Sequence, residues 1–396
     1  MTAIISFGVL LAFGLVIYCT IRWWNLRLVG KNPVSLLVFC SILFTSGLDV
    51  GLVMFPLAWD FPLYANIKKT PAYAFTNPLA IEFGFWGFLI WAFYFLTGFY
   101  FCVIEPRVKF FEIPIVKWIN NVVIITTCAF TGALFLIYLP AYVPMVGDGK
   151  TVIPAFYAVT FVVISAAVFS STSLRYVKIL SVASTAMFFG LIVLAWAYAG
   201  IGLGDLGQSL SHLGGYFANL HKFVLPISDY HEFFLFWWFA WSIMIGQFTS
   251  RFVGGLRTWQ FLLALLVIPS IPLAIWFAVL YHYFVAKIKT TGLMNWAMVG
   301  VGTIFVVNSF DSLIRLYSEN FGMTVERLGK LRYMFVNITL LFILTVAFQS
   351  QWLKIEWVGT LVIGLYVACL FFLVSRHRKT LDQIRSVPVT HSSGDL

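Results

Sequence analysis

The sequence predicts an all-α polytopic membrane protein, and three observations carry that prediction. Hydrophobic residues make up 61% of the 396 and Asp, Glu, Lys and Arg only 10%, at a mean hydropathy of +0.94. Soluble domains carry about 25% charged residues, so this composition excludes an ordinary globular enzyme. Apolar runs of about 20 residues, the length a helix needs to cross a hydrocarbon core, recur from one end of the chain to the other. Lys and Arg sort onto alternate connections between those runs.

Eleven such runs lie near 4–22, 34–58, 79–104, 118–140, 152–171, 176–201, 231–253, 258–283, 294–315, 330–349 and 355–376, and are numbered spans 1–11. Span 1 has no basic n-region and runs into Arg22, Trp23 and Trp24 rather than a small-residue cleavage site, so no cleaved signal peptide is expected. The stretch 202–230 holds Gly202, Gly204, Gly207, Gly214 and Gly215 and is too polar to span. It is expected to be an outer connector with an amphipathic helix around 206–223. The tail beyond Arg376 is short, basic and then polar, and is expected to be disordered.

With the N-terminus outside and the C-terminus inside, the outward loops hold only Lys68, Lys69, Lys150, Lys222, Lys287, Lys289 and Lys354 of the 25 Lys and Arg residues. This bias supports the eleven-span count and places the protein in a plasma (cytoplasmic or inner) membrane. The net charge of +10 then reflects attraction to anionic inner-leaflet lipid, not a nucleic-acid partner. Cys19, Cys40, Cys102, Cys128 and Cys369 are scattered without a CxxC pair and read as small apolar packing residues, not as a metal or redox site. His212, His221 and His231 have no metal-motif spacing and read as surface residues of the connector, and Glu82 as a solvated acid opening span 3.

Two aromatic sets stand out. On an ideal helix Trp86, Trp91 and Tyr94 fall within an arc of about 140°, and Trp237, Trp241 and Met244 lie closer still. Trp238 adjoins the second set as a floor or lid. Facing each other, they would form an aromatic box, which suits a cation that hydrogen bonds cannot satisfy, such as a quaternary ammonium. The competing reading is ordinary lipid-facing or packing aromatics in a chain with 19% aromatic residues. Span 2 carries T-S-G-L-D-V-G at 45–51, with Gly47, Gly51 and Asp49 at membrane depth, and span 7 carries A-W-S-I at 240–243. If spans 2–6 and 7–11 are two repeats of five, these are the first helix of each. Interrupted helices at matching places point to a transporter's midplane site; close helix packing is the alternative for the glycines.

These residues resemble the betaine/choline/carnitine transporter family over roughly 27–378. The run F-T-S-G-L-D-V-G-L at 44–52 resembles the family's glycine-rich unwound G-M-G-I-G-L, and Pro62, Leu63 and Tyr64 follow with one extra residue. Trp86, Gly87, Trp91 and Tyr94 match W-G-x-x-x-W-x-x-Y. Trp237, Trp238, Trp241, Ser242, Gly246 and Arg251 match W-W-I-S-W-S-P-F-V-G-M-F-x-x-R. Lys178 to Ser181, Pro269, Ser270, Trp276, Phe277 and V-N-S-F-D-S at 307–312 also correspond. The departures are a missing first helix, Asp49 for the central glycine, Ile243 for the signature proline, Met244 for the next phenylalanine, Gly254 and Gly255 within the basic run, and Asn308 for threonine.

The resemblance implies a LeuT-like core of two inverted five-helix repeats. It would divide the chain into a peripheral helix and inner loop (1–33), a first repeat (34–201), the connector (202–230), a second repeat (231–376) and a tail (377–396). It implies substrate contacts at Trp86, Trp91, Tyr94, Trp237, Trp238, Trp241, Met244, Gly47, Asp49 and Gly51. A sodium site would take the backbone carbonyls of Thr45, Leu48 and Phe305 and the side-chain oxygens of Asn308 and Ser309; packing hydrogen bonds are the alternative for the last two. Asp49 has three candidate roles: counter-charge to the ligand, proton acceptor, or sodium ligand. Asp311, Arg315 and Arg251 are candidates for an inner gate, with Asp311 and Arg315 in i,i+4 register or Asp311 bonded to another helix. A homotrimer is a further implication. The expected function is secondary active import of a small cationic or zwitterionic solute of choline, betaine or carnitine type, driven by sodium or protons. No cofactor beyond sodium is expected. A non-transporting sensor of the same fold and a membrane-embedded lipid-modifying enzyme are the alternatives; the latter lacks a histidine deep in any span.

Overall fold

The computed structural model describes residues 1–46 and 50–384. It is an all-α polytopic membrane protein. Among the described residues nine helical segments are long and apolar enough to cross a bilayer: Thr2–Arg22, Pro78–Val108, Pro114–Tyr142, Pro154–Ser171, Asp229–Phe252, Thr258–Val285, Leu293–Phe321, Lys330–Gln349 and Ile355–Arg376. These are spans 1, 3–5 and 7–11. Nine of the eleven expected spans are therefore matched by one helical segment each, and two differ. Span 2 is described as Leu36–Ser46 and the helical stretch 51–65, with residues 47–49 outside the described residues. Span 6, Leu174–Tyr198, is followed by a bend of 113° into the connector helix Leu203–Ser211.

Local chemistry sets the helix starts. Asn77 accepts the Ala80 N–H at 3.0 Å and Pro78 follows at the first helical position, where its missing N–H costs nothing. Ser228 accepts the His231 N–H at 3.1 Å and starts span 7, with Asp229 and Glu232 in the first turn against the helix dipole.

Span 7 is the most deeply buried of the nine. It packs on spans 3 and 11, while spans 4 and 9 pack on each other, span 4 also on spans 10 and 11 and span 9 also on spans 5 and 6. Span 2 touches spans 6, 8 and 9. Span 1 packs on spans 3, 7 and 11 and leaves Phe7, Leu10, Ile17 and Ile21 exposed, the pattern of a peripheral helix facing hydrocarbon.

Three features depart from the sequence-based expectation. The loops after spans 1 and 7 pair as a two-stranded antiparallel ribbon, Arg27–Val29 with Gly254–Arg257. The glycines that interrupt the basic run are what permit it: a Cβ at Gly254 would fall 2.4 Å from the Val34 carbonyl oxygen. The tail does not leave the protein at once, because Arg378–Gln383 is helical and Asp382 pairs with Arg22. The connector comprises Leu203–Ser211, Gly214–Ala218 and a 3-10 turn at Leu220–Val224, and lies over the start of span 3. Phe223 packs against Gly84, and the Tyr216 ring meets Phe83 at 5.2 Å.

Candidate functional site

Span 2 is irregular for a reason readable in its sequence. Pro56 has no N–H to give to the carbonyl of Leu52, four residues back. That carbonyl instead accepts the indole N–H of Trp276, from span 8, at 2.9 Å. A π-helical turn follows at Pro56–Asp60, which takes up one extra residue within the helix. The Met54 carbonyl accepts the Tyr142 hydroxyl, from span 4, at 2.7 Å. Three helices are thus tied together through backbone groups that a regular helix would have used itself.

Span 3 is broken where no break was expected. Its first segment ends at Trp86; Gly87 is extended and Phe88 lies at φ 47°, a costly conformation for a residue with a side chain. The Phe88 N–H donates to Ser270 Oγ at 2.8 Å, and Trp91 Nε1 donates to the Trp86 carbonyl at 3.2 Å. Trp86 and Trp91 therefore do not share one continuous helical face.

Span 7, expected to be interrupted at 240–243, is an uninterrupted α-helix from Asp229 to Thr249. Ile243, unlike proline, keeps its backbone donor. Ser242 Oγ donates to the Phe239 carbonyl at 2.7 Å, and the Ser242 carbonyl accepts Thr97 Oγ1 at 2.7 Å.

The two tryptophan sets meet. Trp237 and Trp238 are stacked, 5.3 Å apart at 4°. The Trp86 ring stands edge-on to both, at 5.3 Å and 79° from Trp237 and 5.1 Å and 77° from Trp238. Tyr94 extends the cluster, 6.4 Å from Trp238 and 5.2 Å from Trp91. Gly51 of span 2 closes it, since a Cβ there would come within 3.0 Å of Trp86. Of Trp86, Trp91, Tyr94, Trp237, Trp238 and Trp241 none is more than 3% exposed, which removes the lipid-facing reading for all six. Trp238 Nε1 donates to the Phe85 carbonyl at 2.8 Å, whereas among the described residues the indole N–H groups of Trp86, Trp237 and Trp241 close no hydrogen bond of normal length. Met244 is buried two turns below on the same helix.

Trp241 is set apart from this cluster. It lines a water-sized cavity of about 10 Å³ with Asn308, Ser309 and Ser312 of span 9. Phe305 is buried on the same helix, its ring 5.6 Å from Phe188. Of the residues expected to hold sodium, Thr45 is the penultimate residue of Leu36–Ser46, while Leu48 and Asp49, with Gly47, lie outside the described residues.

Beyond Trp241 a larger cavity of about 590 Å³ opens at the Lys- and Arg-rich end, lined among others by Gln247, Arg251, Asn120, Asn320, Lys109 and Cys102. Its rim is ionic. Glu319 lies 3.2 Å from Arg315 and 4.0 Å from Arg251. Arg315 therefore pairs forward with Glu319 and not back with Asp311. Asp311 is fully buried and accepts Ser170 Oγ of span 5 at 2.8 Å and Ser312 Oγ at 3.1 Å. Of the two expected arrangements, an i,i+4 pair or a bond to another helix, Asp311 makes the second.

Two readings at the connector end are overturned. Glu82 is not solvated but fully buried, because the connector covers the start of span 3. His231 is also fully buried, its ring stacked on Phe85 at 4.4 Å and 4° with Nδ1 accepting the Ile227 N–H at 3.2 Å. His212 and His221 are exposed.

No protein-family model matches the chain. It is similar to uncharacterized transporters of Mycobacterium bovis and of two Mycobacterium tuberculosis strains, 23% identical over 320 residues in each case. The match covers 68% of this chain and 53% of each relative, so the chain spans about half the length of the curated relatives it matches.

Proposed function

We propose that the chain is a secondary active transporter, not an enzyme, and that it moves a small quaternary-ammonium solute of choline, betaine or carnitine type. One observation carries this reading: Trp86 set edge-on against the stacked Trp237 and Trp238 in a wholly buried site. Desolvated aromatic faces attract an organic cation by about 2 kcal/mol or more each. A permanently methylated ammonium has no N–H to lose in such a site. The similarity to proteins named as transporters supports the general class.

Packing supports two repeats. Exchanging each span k of 2–6 with span k+5 turns the contacts 5–9, 6–9, 2–6, 2–8 and 2–9 into 10–4, 11–4, 7–11, 7–3 and 7–4, all of which exist. In this reading the small cavity at Trp241, Asn308 and Ser309 and the larger one at Arg251 lie along an exit path toward the cytoplasm. Rocking of one bundle against the other supplies alternating access.

Uptake of radiolabelled choline, betaine and carnitine into proteoliposomes, with sodium and pH gradients imposed separately, tests the proposal. Gradient-driven accumulation of one of the three is expected. Tight binding without accumulation would indicate a sensor, and failure to bind any of them would overturn the substrate class.

A further inference from the structure

We propose that Asp60 and Glu82 form a proton-binding site in the outer half of the protein, one proton being held between the two carboxylates. This deepens the transporter reading and rests on it for its role in coupling, though not for the site itself.

Both residues are wholly buried, on different spans. The π-helical turn delivers Asp60, and the first segment of span 3 delivers Glu82 one turn before Trp86, on the same face as that box residue. Among the described residues no ion pair includes either carboxylate. Asp60 Oδ1 accepts the Tyr230 hydroxyl at 2.6 Å; among the described residues its other oxygen and both oxygens of Glu82 have no hydrogen bond of normal length.

An independent sign comes from the donors. The Glu82 carboxylate faces Asp60, the Tyr64 hydroxyl and the Trp86 indole N–H. The last two are themselves buried, and among the described residues neither closes a hydrogen bond of normal length. Four polar groups thus lie side by side without a hydrogen bond of normal length among them.

Buried charges persist only when paired, and two like charges side by side in a low-dielectric site cannot both persist without a cation. The titratable side chains that act on the pair are Tyr64 on span 2, Tyr73 in the loop beyond it, Tyr138 and Tyr142 on span 4 and Tyr230 on span 7. His231 lies behind Phe85. None of them is a lysine or arginine. An ionised carboxylate only accepts, whereas a protonated one also donates, so a single proton supplies the missing donor for this arrangement and needs no room of its own. The rings of Tyr64, Tyr73 and Phe85, 5.0 to 6.3 Å apart, wall the site. Binding and release of this proton, one turn from Trp86, would couple a pH gradient to occupancy of the aromatic box.

Infrared difference spectroscopy of the purified protein between acid and alkaline pH reads the proton without any substrate. A buried carboxylic-acid carbonyl band that shifts in heavy water is expected, lost in Glu82→Gln and in Asp60→Asn and displaced in Tyr230→Phe. No such band, or one that none of these three substitutions alters, would overturn the site and leave a metal cation to neutralise the pair. Should Glu82→Gln not fold, the other two variants decide. In proteoliposomes, Glu82→Gln should lower pH-gradient-driven uptake at least tenfold. The band with no ammonium transport would sink the substrate reading alone; ammonium transport without the band would sink this inference alone.

Discussion

Thr97 and Ser242 join the two helices that carry the tryptophans: the Thr97 hydroxyl donates to the Ser242 carbonyl at 2.7 Å, and Gly246, one turn on, lies against the same threonine. A Cβ at Gly246 would fall 2.2 Å from Thr97 Oγ1 and 2.6 Å from its backbone carbon. Spans 3 and 7 can approach this closely only over a glycine. Gly246→Ala should therefore force them apart and destabilise the protein by about 1–3 kcal/mol. Thermal unfolding followed by size-exclusion chromatography in detergent checks this; an unchanged midpoint would show that the helices tolerate separation.

Trp238 combines a ring face with an anchored indole N–H. Trp238→Leu should weaken quaternary-ammonium binding by about tenfold or more, since a desolvated cation–π contact is worth about 2 kcal/mol. Trp238→Tyr should retain more affinity than leucine does. Equilibrium binding of labelled ligand measures both, and equal affinities for the two variants would mean the ring faces carry no charge recognition.

Gly51 lets span 2 rest on Trp86. Its added methyl in Gly51→Ala would touch Trp86 and Phe55 at 3.0 Å, a contact their rings can relieve by small shifts. A bulkier Gly51→Val cannot be relieved so cheaply. The expectation is a graded loss of ligand affinity, valine well beyond alanine, with folding retained in the alanine variant. Reversal of that order would place the ligand away from span 2.

Glu319 holds both Arg315 and Arg251 at the rim of the larger cavity. These side chains are partly exposed, so Glu319→Gln should change stability by less than about 1 kcal/mol. It should nevertheless speed maleimide labelling of Cys102, a half-buried thiol lining that cavity, by freeing Arg251. Labelling at the native rate would show that the ion pairs do not restrict entry.

Asp311 is a buried acceptor for two serines. Asp311→Asn keeps one acceptor oxygen and puts an N–H in the place of the other, to which a serine hydroxyl can turn its own oxygen, and should fold, whereas Asp311→Ala leaves Ser170 unpaired and should cost about 1–3 kcal/mol. Chemical or thermal denaturation of the pair separates these outcomes.

Much of the helical organisation was legible because period and length suffice to find apolar segments of about 20 residues. That Trp86, Trp237 and Trp238 meet was also legible, from two aromatic sets on separate spans. The rest was hidden where long-range contacts decide. Glu82 and His231 sit at segment ends that read as solvated, and only the connector, through Phe223 on Gly84 and Tyr216 on Phe83, takes them out of water. The break in span 3 falls on Phe88, whose left-handed backbone no side-chain preference announces. Conversely, A-W-S-I at 240–243 looked like a break and is not one, since serine can bond back to its own helix and isoleucine keeps its N–H. Asp60 did leave a signal: an acid inside the apolar run L-A-W-D-F at 57–61 has no reason to be there unless something meets it.

The π-helical turn at Pro56–Asp60 also fixes an angular phase. Each residue added to a helix rotates all that follows by about 100° about the axis. The extra residue therefore determines the direction in which Asp60 points, and with it the azimuth of Tyr64 beyond. Deleting Leu57 would restore the α-helical count and swing that carboxylate roughly a quarter-turn away from Glu82. A single codon, rather than any change of side chain, thus separates a chain in which the two acids meet from one in which they do not.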